Sequence, residues 1–163
     1  MAVDYKDIYD KFTIDIDDSD LGLVSDIELN NILFKYLEKA RAMYFPQCTK
    51  DLNDVTVTIS DIDTIIGIGD DAFVINEISA KFNQDLTNQE QHILALGMKK
   101  AWLSSKKYSA DLMVKDVGDR DYNAVQGFNY LKVLITLDSE LEDEIRSYGT
   151  SYTYSVEELR KGF

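Results

Sequence analysis

The sequence predicts a mainly α protein, a small helical bundle with one long C-terminal helix and a short β-rich insert at about 53–76. Three observations lead to this prediction. Apolar residues recur at three- and four-residue steps in several segments, which is the period of an amphipathic helix. Two of these segments begin with a capping box. One stretch in between is rich in β-branched residues, as strands are.

Two helices are predicted in the first third of the chain. Apolar residues in 3–12 have nearly helical spacing and indicate a short helix that ends in the acidic stretch 15–20. Ser25 then precedes Glu28 by three residues, a capping box that begins a second helix. An apolar stripe follows as far as Pro46, so this helix is expected to run from about 25 to about 45.

Residues 51–80 have a different character. The continuous β-branched run Val55–Ile59 predicts a strand. Further apolar runs follow on either side of Gly67 and Gly69. Two or three short strands with glycine turns fit this pattern, and so does an irregular excursion.

The second half begins with another capping box, formed by Thr87 and Glu90. The helix that follows is apolar almost all round, which is typical of a helix buried deeply or lying between subunits. It is expected to end near Ser104–Ser105, with a separate short helix from Ser109 to about 115 and a break at Gly118.

The last predicted helix begins at about Asp119 and runs to 148, about 45 Å at 1.5 Å per residue. Gly149 fits its C-cap. The prediction is therefore one helical domain, 1–149, which includes the insert 53–80, and a C-terminal docking tail, 150–163. The tail is either a disordered terminus or a segment that docks on a neighbour through Tyr152, Tyr154 and Phe163.

The net negative charge of the chain argues against general binding to nucleic acid. The chain has 30 acidic and 17 basic residues, a net charge of −13, and such a protein repels DNA. The basic residues concentrate in an island at 99–120 between acidic ends, which suits either solvated helix faces or self-association between unlike surfaces. The single cysteine, Cys48, cannot form an internal disulfide, and no signal peptide or membrane span is evident, so synthesis in a cytosol is expected.

Residues that could carry chemistry are few. His92 is the sole histidine and Cys48 has no motif around it, so neither suggests a metal site or a nucleophile pair. The acidic run 15–20 lacks the glycine and glutamate of a calcium loop. Gly67–Gly69 is followed by aspartates, which would repel a phosphate. The prediction is no enzyme and no cofactor.

The order and spacing of several segments form a more specific pattern. In the second half these are Phe82–Gln91, Ile93–Leu103, Gly118–Tyr122 and Asn129–Lys132, and in the first half Tyr5–Phe12 and Cys48–Leu52. The pattern resembles the head–tail connector (neck) adaptor proteins of tailed phages of Gram-positive bacteria. It departs from the family in the insert 53–80, where the family has a shorter link, and at Ser104–Ser105, where the family often has Lys-Pro.

The resemblance implies a structural protein of the virion neck, assembled in the bacterial host cytoplasm. Such adaptors form a homo-oligomeric ring, usually a dodecamer, under the portal protein. The ring extends the DNA channel and joins the next neck or tail protein. DNA would pass through without specific binding, and no membrane is involved.

The resemblance also suggests roles for particular residues. The long helix would lie on the channel side with Asp138, Glu142 and Glu144. The C-terminal tail would dock on the portal or an adjacent subunit. The basic island would meet the next subunit through a set of contact residues: Lys99, Lys100, Trp102, Lys106 and Lys107.

Two other functions stay open. An acidic phage protein can imitate DNA and inhibit a DNA-acting host protein, although here the basic island divides the acidic residues. Another neck or tail component, such as a stopper or a tail terminator, is the second, although those proteins are usually richer in β-strand.

Overall fold

The computed structural model describes residues 2–14, 16, 18–60, 64–66, 73–116 and 121–161. Helices account for 69% of them, which confirms the predicted mainly α class. In chain order the elements are β1 Val3–Asp4, α1 Tyr5–Thr13, a 3-10 turn Leu21–Leu23, α2 Asp26–Met43, β2 Val55–Ile59, β3 Thr64–Ile66, β4 Phe73–Ile75, β5 Ile78–Phe82, α3 Asn88–Asp116 and α4 Asp121–Lys161.

The first two helices lie where they were predicted. Asp4 caps α1 by accepting a hydrogen bond from the Lys6 backbone N–H at 2.9 Å. The capping box of α2 is complete, because Ser25 Oγ accepts from the Glu28 N–H and the Glu28 carboxylate accepts from the Ser25 N–H. Both caps satisfy amide groups that the helices themselves leave without a partner.

The β-rich insert is part of the main domain. Strands β1, β5 and β2 form an antiparallel sheet in that order, with Phe82 paired to Val3 on one side and to Val55 on the other. The β-rich insert, predicted at about 53–76 within the segment 53–80, continues into the central strand β5, which ends at Phe82. Ala80 and Phe82 of β5 face the core. Strands β3 and β4 form a separate antiparallel pair.

Helix α3 is continuous over 29 residues, whereas the sequence predicted an end near Ser104–Ser105 and a second short helix from Ser109. The serines do not interrupt it. Ser104 Oγ donates to the Lys100 carbonyl at 2.8 Å and Ser109 Oγ donates to the Ser105 carbonyl at 3.2 Å. Each hydroxyl is therefore satisfied one turn back along the same helix.

Helix α4 has 41 residues and extends about 60 Å, so it passes through the predicted C-cap at Gly149 and includes most of the predicted tail. Gly149 is buried inside the helix, where an added Cβ would lie 3.4 Å from Gln47 Oε1. Helix α4 therefore does not end at Gly149. No helix among the described residues is long and apolar enough to cross a bilayer.

The main core lies between α1, α2, the three-stranded sheet and the first half of α3. At its centre are side chains less than 2% exposed: Tyr5, Ile8, Phe12, Leu37, Phe82, Ile93, Leu94 and Met98. A second, smaller cluster of Leu103, Ala110 and Leu134 joins α3 to α4. Leu134 is the buried residue that α4 contributes to this cluster among the side chains that are described.

Candidate assembly surface

His92 and Cys48, the two residues with the most reactive side chains, both pack against other parts of the chain. The His92 ring packs edge-on against Tyr148, with 4.8 Å between ring centroids. Cys48 is half-buried, and burial raises the pKa of its thiol. Among the described residues, no group of three or more His, Cys, Asp or Glu side chains could hold a metal ion.

Part of the basic island binds the acidic loop that precedes α2. Lys106 Nζ lies 3.0 Å from Asp18 Oδ2 and 2.6 Å from Asp20 Oδ2. The Trp102 indole N–H donates to Asp18 Oδ2 at 2.7 Å. Burial alone would raise the pKa of Asp18, but the hydrogen bonds from Trp102 and Lys106 outweigh it and lower the pKa. The loop is therefore fixed to α3 rather than simply exposed.

Another part of the island pairs with α4. Lys100 Nζ lies 2.9 Å from Glu142 Oε2 and 3.1 Å from Asp138 Oδ1, although the second contact lacks hydrogen-bond geometry. Lys107 Nζ lies 2.7 Å from Asp138 Oδ2. Burial opposes the charge of Lys100, yet the two carboxylates outweigh this and raise its pKa. These ion pairs cross-link the two longest helices.

The two sets of residues predicted from the resemblance thus meet each other inside one chain. Lys100 and Lys107, expected at a subunit contact, neutralise Asp138 and Glu142, expected on the channel side. Lys106 is likewise paired within the chain. Which carboxylates these lysines meet cannot be established from the sequence alone. The Asp138 side chain is 19% exposed.

Tyr152, predicted to dock on a neighbour, is buried in its own chain with 4% exposure. Its hydroxyl donates to Glu90 Oε1 at 2.9 Å and accepts from the Thr49 N–H at 3.3 Å, and its ring packs edge-on against Phe45. Residues 150–161 of the predicted tail therefore belong to α4, and Tyr152 attaches them to the main core. Tyr154 is 65% exposed. Phe163 lies outside the described residues.

Glu90 is the acceptor at the centre of this attachment. It is 1% exposed, and its Oε2 accepts from Lys50 Nζ and from the Thr87 N–H, both at 2.7 Å. Burial would raise the pKa of Glu90, but the hydrogen bonds from Lys50, Thr87 and Tyr152 prevail and lower it. The capping residue predicted for α3 therefore also holds the end of α4.

The first half of α4 exposes a dense apolar surface, which we call the apolar section, residues 128–137. Its large side chains remain 45–59% exposed: Phe128, Tyr130, Val133, Ile135 and Leu137. Between them, Leu134 is buried against α3. A helix that is apolar on nearly every side is normally covered on nearly every side. How much of this helix α3 covers depends on tertiary packing, which the sequence pattern alone does not give.

A groove of about 250 Å3 lies beside this section, between α3 and α4. Trp102 and Leu103 of α3 line it together with Leu137 and Leu141 of α4. Its other lining residues are Ile16, Lys99, Glu140 and Glu144. Trp102 and Lys99, predicted as contact residues, and Glu144, predicted on the channel side, are thus brought together at one groove.

Comparison with protein-family models, with curated proteins and with solved structures finds no match to this chain.

Proposed function

We propose that this chain is a structural subunit of the head-to-tail connector of a tailed phage, an adaptor that forms a ring under the portal protein. The observation that carries the proposal is the apolar section of α4. Five large apolar side chains remain about half exposed within ten residues of one helix. Exposed apolar surface of this density is typical of a protein that is covered by a partner.

The length of α4 supports an assembly of this shape. A helix of about 60 Å exceeds what a compact domain of 163 residues needs. Its end is attached to the core through Tyr152 and its middle is cross-linked to α3 through Asp138 and Glu142. A stiff helix attached in this way can pack side by side with the helices of neighbouring subunits.

Charge also fits the proposed role. A ring of subunits with a net charge of −13 each would repel the DNA that passes through it rather than bind it. The resemblance described above names the connector class. The proposed partners are further copies of this chain, the portal protein and the next neck or tail protein.

The alternative of a DNA mimic is less favoured by the ion pairs. Such a mimic presents rows of free carboxylates in place of phosphates. Four of the acidic residues are instead paired with lysines of α3: Asp18, Asp20, Asp138 and Glu142.

Native mass measurement of the purified chain mixed with portal protein tests the proposal. We expect a complex that contains one portal and a ring of this chain. Replacing Val133 and Ile135 together by aspartate should abolish it, because two charges would enter the apolar section. Leu23→Asp is the matched control, since Leu23 is 84% exposed outside that section. The proposal would be overturned by a stable monomer or dimer that does not bind portal protein but does bind a DNA-acting enzyme.

A further inference from the structure

The groove between α3 and α4 has an acidic edge formed by consecutive turns of α4. Glu140 and Glu144 lie four residues apart and follow Leu137 along the same side of the helix. Leu137 is 45% exposed at the apolar end of the groove. Neither glutamate makes an ion pair or a hydrogen bond with another described residue. The groove therefore presents an apolar end and two glutamates that are unpaired within the described part of the chain.

A complementary row lies on α2. Lys35, Lys39 and Met43 are spaced four residues apart and are all exposed, so they form one line along the helix. Neither lysine is ion-paired with a described residue. Met43 is 61% exposed, which leaves a large flexible apolar side chain in solvent. We call these three residues the α2 row.

The α2 row and the groove lie on different flanks of α4. Met43 borders a second cleft, together with Glu142, Ile145 and Arg146, while the groove contains Leu137, Glu140 and Glu144. A chain that carries both surfaces can bind one neighbour through each. Contacts between unlike surfaces of identical subunits generate rings when the rotation closes.

We infer that the α2 row of one copy docks into the α3–α4 groove of a second copy. The rows run antiparallel, with Met43 over Leu137, Lys39 opposite Glu140 and Lys35 opposite Glu144. Met43 to Lys35 spans about 12 Å and Leu137 to Glu144 about 10.5 Å, so the rows match in length.

The chemistry of the two surfaces favours this occupant. Each lysine meets a glutamate that has no ion pair with another described residue of its own chain, so both charges are compensated in one contact. The Met43 thioether reaches the groove beside Trp102, and sulfur packs favourably against aromatic rings. The contact uses the groove residue Trp102 but does not disturb the paired lysines 100, 106 and 107. It rests on the proposed function in giving the ring its subunit contact.

Disulfide cross-linking tests the contact directly. In a Cys48→Ser background, Met43→Cys and Leu137→Cys are made as two separate proteins and mixed under mild oxidation. We expect a covalent dimer in the mixture, only monomer from either protein alone, and a ladder of oligomers from the chain that carries both cysteines. A dimer formed by one single-cysteine protein alone would overturn the proposal, as would absence of any dimer in the mixture.

Charge reversal provides the matched test. Glu140→Lys with Glu144→Lys should weaken self-association at least tenfold at low salt, because two attractive pairs become repulsive. Adding Lys35→Glu and Lys39→Glu to the same chain should restore it. The control is Glu157→Lys with Glu158→Lys, which changes the charge equally at exposed positions of α4 outside the groove. Equal weakening by the control, or no restoration, counts against the contact.

The same proteins separate this inference from the proposed function. If a portal-bound ring forms but Met43→Cys and Leu137→Cys do not cross-link, the proposed connector function is supported and the proposed contact is wrong. If the ladder of cross-linked oligomers forms but does not bind portal protein, the proposed contact is supported and the proposed connector function is wrong.

Discussion

The hydroxyl of Tyr152 donates a hydrogen bond of 2.9 Å to Glu90 Oε1, joining residues 62 positions apart in the chain. Both side chains are buried. Because Glu90 also caps α3 and pairs with Lys50, this bond connects the end of α4 to the start of α3 and to the loop after α2. The C-terminal segment is therefore part of the folded core.

Removing the hydroxyl should measure this connection. Tyr152→Phe keeps the ring against Phe45 but leaves Glu90 without one donor. Hydrogen bonds to charged groups contribute about 1.5–3 kcal/mol, so we expect a loss of about 2 kcal/mol in the free energy of unfolding, measured by urea denaturation. Tyr154→Phe removes the same atom from a side chain that is 65% exposed and should change little. Equal effects of the two variants would contradict the assignment.

Glu90 should also make the fold sensitive to acid. Burial works against its charge, but the hydrogen bonds from Lys50, Thr87 and Tyr152 lower its pKa below the ordinary value of 4.5. A carboxylate with a lowered folded-state pKa contributes stability above its unfolded pKa and loses it as the pH falls through the folded pKa. We therefore expect the free energy of unfolding to decrease as the pH drops below about 4.5.

The variant Glu90→Gln isolates this contribution. It should be less stable than the natural chain at pH 7, because the Lys50 ion pair is lost. Its stability should also decrease less between pH 7 and pH 3.5. Since Asp18, Asp138 and Glu142 also have lowered pKa values, some acid sensitivity will remain. Denaturation curves that run parallel for the two proteins over this pH range would argue against the role of Glu90.

Reversing the charges of Lys106 and Lys107 should destabilise the fold of the isolated chain, whatever its effect on assembly. Each lysine contacts an aspartate of its own chain whose side chain is less than one-fifth exposed, Asp18 for Lys106 and Asp138 for Lys107. Replacing both by glutamate should cost about 2–4 kcal/mol, because the remaining carboxylates would face like charges. Thermal unfolding of the isolated chain measures this. Reversal of Lys35 and Lys39 should leave the unfolding temperature nearly unchanged.

Local signals in the sequence were sufficient for much of the fold. The capping boxes at Ser25 and Thr87 are short-range patterns, and both helices begin there. The strand Val55–Ile59 follows equally from its β-branched run. Strand β5 was missed because its place at the centre of the sheet depends on pairing with Val3 and Val55, which are distant in sequence.

The ion-pair partners of charged side chains could not be predicted from the sequence. The basic island was visible, but which carboxylates it meets depends on how α3 packs against α4 and against the acidic loop. The glycine at 149 was assigned as a stop signal by its type. It instead lies inside α4, where an added Cβ would make an ordinary van der Waals contact with Gln47. The exposed apolar section could have been anticipated from its nearly all-round apolar pattern.

The crossing of α2 and α3 gives a final prediction, at Gly97. A Cβ added there would lie 2.9 Å from the Cβ of Ala40 and 3.3 Å from its Cα, closer than atoms can pack without movement. Both residues lie in the interior, so neither helix can move aside without disturbing Leu37 and Leu94. Gly97→Ala should therefore reduce the free energy of unfolding by about 1–3 kcal/mol, even though alanine favours helix formation. Gly22→Ala is the control, because nothing lies within 4 Å of a Cβ added there. If Gly97→Ala stabilises the protein in urea denaturation, helices α2 and α3 cross less closely than described.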